Sequence, residues 1–276
     1  MTSVLYDVPG PRAKVRNSII GVVGTVVVLG ILAFVQVLIL EALLDTLSAF
    51  AVAAVLSLAF GALFAAGRLS EHAWLRGPST AIVEFFRAVP LLILIFILYF
   101  GVSQTLGLNL STYWSLVLGL MLYNGSVLAE VFRAGVRALP RGQSEAAYAL
   151  GLRKTEVMTN VLLPQSLRAM MPTIVSQLVV VLKDTALGFI ILYPELLYQA
   201  RFLGSQGQLG APILQVAMVI AVIYIILCLI LSGIAHLLER RLRRSPRGGD
   251  VDPKEKARAD GEISAAQAQG GGGAVA

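Results

Sequence analysis

The chain has 276 residues, 57% of them hydrophobic and 14% charged, with a formal net charge of +6 and a mean hydropathy of +0.80. Soluble domains carry about 25% charged residues, so this composition excludes a soluble protein. In a membrane chain a surplus of Lys and Arg marks loops that face the cytoplasm and needs no nucleic-acid partner. The single cysteine, Cys228, excludes a disulfide framework and a Cys-based metal site within one chain.

Residues 1–18 carry Arg12, Lys14 and Arg16 ahead of the first apolar block. That block, 19–40, has no charge and is long enough to cross a bilayer core of about 30 Å as a helix. It exceeds a signal-peptide core, and no small-x-small cleavage site follows it. Further spans are expected at 46–67, 88–110, 111–129, 169–192 and 211–235, six in all. Basic residues alternate between the connections. Arg68, Arg76 and Arg87 separate spans two and three, and a dense basic loop from Arg133 to Arg168 separates spans four and five. The connections on the other side hold almost none, so the positive-inside rule predicts both termini in the cytoplasm. The tail 245–276 exchanges apolar pattern for Gly, Ala, Gln and mixed charge and is expected to be disordered.

Several polar groups interrupt the apolar pattern. Glu84 and Arg87 stand one helical turn apart and can pair, and Pro90 can bend the start of span three. Glu130 and Arg133 repeat that spacing at the end of span four, where Asn124 is the best candidate to line a pore. Lys183, Asp184 and Thr185 lie inside span five. Ionisable groups in hydrocarbon cost about 2.5–3.5 kcal/mol each, so they face a cavity or a partner. A translocation path or gate and a structural inter-helix pair are equally good readings of them. Lys183 and Asp184, about 100° apart around the helix, do not pair on one face.

Between spans four and five, Pro140 suits a helix start and Gly151 a left-handed helix end. Residues 155–163 can form a second short helix that Pro164 must stop or bend. Glu145-Ala146-Ala147, then Gly151, then Leu163-Pro164 resembles the signature loop of ABC importer permeases, with Val161 where isoleucine is usual. Glu84-Phe85-Phe86-Arg87-Ala88-Val89-Pro90-Leu91-Leu92 and Lys183-Asp184-Thr185 resemble segments of the polar amino acid group of that family. The first pattern has Ala88 where glycine is usual. The N-terminal Val4–Pro11 segment and the extra span look like actinobacterial glutamate uptake permeases.

The resemblance implies an all-α polytopic protein with the type I ABC importer permease fold. Its five-helix core would span 41–244 and carry the cytoplasmic coupling loop 140–165, with 19–40 as an added N-terminal helix. It implies a bacterial cell-membrane subunit that works with a dimer of ATPase subunits, a second permease subunit (a paralogue) and an extracytoplasmic solute-binding protein, moving an amino acid through a lipid bilayer. The solute is expected to be glutamate; glutamine, aspartate or a basic amino acid is the alternative. The chain holds no phosphate-binding Gly-rich loop, so ATP and Mg belong to the partner ATPase. It shows no metal-ligand spacing and no nucleophile elbow, and is expected to have no catalytic activity. A secondary transporter would show two matching halves with broken helices, and no such repeat is present.

Overall fold

A computed structural model describes residues 11–105, 107–207 and 212–243. The tail 245–276 and residues 1–10 of the N-terminal segment lie outside the described residues. Eight helical segments carry the fold: α1 Pro11–Leu69, α2 Ala73–Ala88, α3 Leu91–Phe96, α4 Thr112–Arg137, α5 Arg141–Ala149, α6 Lys154–Ile191, α7 Leu196–Gly204 and α8 Ile213–Arg243. Val35–Leu69, Thr112–Arg137, Lys154–Ile191 and Ile213–Leu237 are each long and apolar enough to cross a membrane, and the bent pair α2–α3 makes a fifth candidate.

Four helices among the described residues, or five with the bent pair, are thus candidate crossings, where the sequence suggests six. The first two expected spans do not separate: α1 runs through Glu41–Asp45 without a turn. No Gly or Pro occurs between Ile31 and Phe60, and the Glu-Ala-Leu-Leu stretch at the expected turn consists of good helix formers. Local propensity keeps the helix continuous there.

The third crossing also differs. It begins at Leu91, and α2 meets it at 100° across Val89–Pro90. Pro90 has no backbone N–H, and the ring of a proline pushes the preceding residue out of the helical region. Val89 accordingly is extended, with φ −82° and ψ 124°. Beyond Phe96 the helix widens into π-helical turns over Ile97–Thr105.

The core lies where α1, α3, α4 and α6 meet, around Ala49, Ala53, Ile95, Leu116, Leu120 and Val181. A second cluster joins Ala42 of α1 to Leu196 and Ala200 of α7 and Ile220 of α8. Helices in lipid gain from close approach, which small residues permit. A Cβ on Gly61 would lie 2.8 Å from Leu128 Cβ, 3.1 Å from the Gly125 carbonyl oxygen and 3.2 Å from the Ala129 nitrogen. Two of those three atoms are backbone and cannot swing away. Gly61→Val should thus push α1 off α4 and cost about 1–3 kcal/mol. A thermal-unfolding temperature equal to the wild type in detergent would contradict this crossing.

Candidate functional site

The loop between α4 and α6 is built from backbone rules outward. Pro140 precedes α5 with φ −57°, and α5 ends in a left-handed Gly151 with φ +81°. The Leu152 N–H donates to the Ala147 carbonyl at 3.3 Å and the Gly151 N–H to the Tyr148 carbonyl at 2.9 Å. This pair of bonds is a Schellman cap, which closes the helix and fixes the exit direction of the chain. The Arg153 N–H then donates to Glu156 Oε2 at 2.7 Å and starts α6.

Ala147 and Val157 are buried and hold α5 against the first turns of α6. Glu145, Ala146, Ala149 and Gly151 face outward, and Leu150 is 82% exposed at the apex. A Cβ added to Gly151 would meet nothing within 4 Å. The loop thus presents a small-residue surface with one protruding leucine and one acid, fixed to a long helix.

Of the stop or bend expected at Pro164, the stop is not there. Leu163 and Pro164 lie inside α6, which continues to Ile191. Val157–Leu162 is wound as a π-turn, with the Leu163 N–H bonded back to the Met158 carbonyl. That wider turn accommodates the proline ring and its missing donor without ending the helix. Leu163 borders a cavity of about 970 Å³ shared with Phe64, Phe132 and Met170. Glu71 closes one side of it through an ion pair with Lys154. The Lys154 ammonium, by hydrogen bond and by charge, holds the Glu71 carboxyl below its usual range. This link should persist above that lowered range and be lost as pH falls through it.

Within the bundle, Gln177 Nε2 donates to Asn124 Oδ1 at 2.7 Å, and Asn124 Nδ2 donates to Asp184 Oδ2 at 3.3 Å. Asn124 is fully buried. The chain of bonds ties α4 to α6, so the structure brings Asn124 and Asp184 together. Thr185 is buried and donates its hydroxyl to the Leu182 carbonyl of its own helix at 2.7 Å. Lys183 is exposed and points elsewhere, into a groove between α6 and α8.

The acid–base pairs of the sequence converge on one residue that the sequence reading counted only as a loop cation. Arg68, 7% exposed at the end of α1, reaches Glu84 Oε1 of α2 at 3.0 Å and Glu130 Oε2 of α4 at 2.8 Å. Arg87 lies 3.6 Å from Glu84, and Arg133 Nε donates to Glu130 at 3.0 Å. Three helices are therefore joined through one guanidinium, whose planar fork suits two carboxylates.

Glu195 was also missed. It is fully buried between spans, accepts from the Leu197 and Tyr198 N–H groups at 2.7 Å each, and accepts the Tyr224 hydroxyl at 2.8 Å. It caps α7 and fastens it to α8. Nothing in its sequence neighbourhood marks it as buried. Among the described residues no group of three or more His, Cys, Asp or Glu is placed to hold a metal ion.

Residues 57–244 match the family described as "Binding-protein-dependent transport system inner membrane component". The chain is 38% identical over 207 residues to the glutamate transport system permease protein GluD of Corynebacterium glutamicum, covering 74% of this chain and 75% of that one. It is 32% identical over 208 residues to the arginine transport system permease protein ArtQ of Bacillus subtilis, covering 74% and 92%. Its structure resembles that of an amino acid ABC transporter solved with histidines, at a TM-score of 0.70 and 27% identity over 77% of this chain and 97% of that one. The MetNI methionine transporter shares the fold at a TM-score of 0.61 and 21% identity, covering 74% and 96%. With its helical crossings, its type I permease architecture and a match covering most of its length, the chain belongs to the inner membrane components of binding-protein-dependent ABC transport systems, as a permease subunit served by a separate ATPase and not as an enzyme.

Proposed function

We propose that this permease imports a polar amino acid, glutamate, and that its α5–α6 loop receives the motion of the ATPase. The observation that carries the coupling role is the loop itself: a rigid Schellman-capped helix that exposes Glu145, Ala146, Leu150 and Gly151 and is continuous, through α6, with the bundle. A docked ATPase would contact the small-residue face closely and bury Leu150. Because α6 is one helix from Lys154 to Ile191, displacement of the loop moves Gln177, Lys183 and Asp184 as well. ATP-driven closure of the ATPase dimer would open the helices outward to the loaded binding protein, and hydrolysis would restore the inward-facing state.

The identity to a glutamate permease, 38%, exceeds that to the arginine permease, 32%, and this supports glutamate as the solute. Asn124, Asp184 and Thr185 border or brace the path, and a second permease subunit, a paralogue, would supply its other wall. Asp184→Asn should reduce uptake several-fold while leaving the assembled complex intact; loss of the complex instead would make Asp184 a packing residue.

The reading is tested by purifying the chain with its associated proteins and reconstituting it with the binding protein. An ATPase subunit should co-purify, and glutamate uptake should require ATP. Uptake driven by an ion gradient without ATP would defeat it.

We also propose that both termini lie in the cytoplasm. A helix of 59 residues is roughly 90 Å long, about three times the bilayer core. The cations Arg12, Lys14 and Arg16 favour a return near Glu41–Asp45 once lipid is present. In a Cys228→Ser background, Ser3→Cys should react with an impermeant thiol reagent only in inverted vesicles. Labelling from the outside of intact cells would place the N-terminus on the far side.

A further inference from the structure

The cavity beside the first turns of α6 has walls from three helices. Phe64 comes from α1, Phe132 and Val136 from α4, and Met158, Leu163 and Met170 from α6. Its surface is overwhelmingly apolar and its volume is about 970 Å³. Apolar cavities exclude water and hold apolar ligands. The charged lining gathers at one end, where Glu71 and His72 meet the start of α6. Glu71 pairs with Lys154 there.

Shape and placement define what fits. From Lys154 to Met170 the cavity follows α6 for about 24 Å. Half of a bilayer with its headgroup zone is about 20–22 Å deep. The exposed apolar lining residues lie on α1 and α6, both of which belong to candidate membrane spans. Ala62 and Ala66 stand one turn apart on α1 and leave the gap, with Leu63 and Leu167 exposed beside it. The mouth thus faces the apolar surroundings of the bundle. At the charged end His72 stacks on Trp74, with ring centroids 6.2 Å apart, and Trp74 is exposed. Tryptophan is enriched at the boundary between membrane and water.

We infer that this cavity is a lipid site that holds one acyl chain of a membrane phospholipid, with the headgroup at the Lys154 end. The second chain stays in the bilayer outside. Glu71 already meets the Lys154 charge, so the site recognises the chain and not the headgroup. A compact solute fills only part of a space this long, and a polar one leaves its hydrogen bonds unmet against Phe132 and Met170. The wall includes Met158 of the π-turn Val157–Leu162, through which the α5 loop joins the bundle. A chain seated on Met158 and Leu163 therefore braces that junction. The site is independent of which solute the permease carries.

The test uses the permease purified with its associated subunits in phospholipid nanodiscs. A small share of the phosphatidylglycerol carries a diazirine in one acyl chain, at the chain end in one preparation and near the ester in another. After illumination, labelled residues are mapped by mass spectrometry. The chain-end probe should label Phe132 and Met170, and the ester-proximal probe Met158. Exposed Leu229 and Ile230 of α8 report contact with bulk lipid. Ala62→Phe/Ala66→Phe narrows the opening and should lose the label at Phe132 and Met170 but keep it on α8, with subunit composition unchanged. Wild-type labelling confined to exposed faces overturns the site without recourse to any variant. Inner-wall labelling that survives in Ala62→Phe/Ala66→Phe also overturns it, because lipid then reaches those residues by another route. In wild type, excess unlabelled long-chain phospholipid should remove the inner-wall label and dihexanoyl phospholipid should not. Equal displacement by the two overturns recognition of the chain.

Discussion

Gly151→Pro should abolish uptake while the permease still inserts and keeps its bundle. Gly151 has φ +81°, and proline is confined near −65°. The substitution also removes the N–H that donates to the Tyr148 carbonyl at 2.9 Å. Both halves of the Schellman cap are lost, so the chain leaves α5 in another direction. The local cost is on the order of 1–3 kcal/mol. It stays local because Gly151 is exposed and its Cβ position is open. Two companion variants separate backbone geometry from contact. Gly151→Ala retains the N–H and meets no clash, so it bears only the left-handed strain of roughly 1–2 kcal/mol and should transport partially. Leu150→Asp leaves the cap intact and alters a side chain that is 82% exposed. Its melting temperature should equal wild type while the ATPase subunit no longer co-purifies. Wild-type uptake by both Gly151→Pro and Leu150→Asp would sink the coupling role.

Arg68→Met should be the most destabilising single change at the basic end. The guanidinium is 7% exposed and holds Glu84 and Glu130 from two other helices. Removing one partner of a buried ion pair costs about 3–5 kcal/mol, because the remaining charge is left without compensation. Glu84 is 54% exposed, so water relieves its share, and Arg133 still serves Glu130. The expected loss is therefore about 2–3 kcal/mol, near the lower edge of that range. The double variant Arg68→Met/Glu130→Gln should recover part of it, since it removes the stranded carboxylate. Thermal unfolding of the four members of this cycle in detergent measures the coupling. Additive losses would mean that Arg68 and Glu130 do not interact. Arg68→Lys should fall between, because an ammonium cannot fork to two acids.

These two sites differ in how visible they were. The loop was legible because its determinants are local. A proline starts α5, a glycine four residues past the buried alanine ends it, and each works through its own φ and its own N–H. The bend at Pro90 belongs to the same class. The charged end was half legible. Glu84–Arg87 and Glu130–Arg133 are within one turn of each other and could be paired by counting, but Arg68 joins them from 16 and 62 positions away. Gln177 was overlooked for the same reason, since its partner Asn124 is 53 positions distant. Glu195 gave no warning at all: only the fold decides that this one acid is covered by α1 and α8.

At two places the helix is more continuous than local signals suggest. The charge alternation implied a turn at Glu41–Asp45, yet an unbroken run of helix formers carries α1 straight through. Pro164 implied a stop or a bend, and a π-turn just before it lets the helix run on. In both places the backbone found a helical solution that a residue-by-residue reading does not rank.

The sequence by itself determined the membrane environment, the helical class, the cap at Gly151, the bend at Pro90 and the family, because apolar run length, backbone chemistry and motif spacing act over a few residues. Only the tertiary structure decided where Lys183 and Asp184 go, one beside a groove and one onto Asn124, and that Arg68 binds three helices together. Those outcomes depend on which helix faces which, and helix packing is fixed by contacts between residues far apart in the chain.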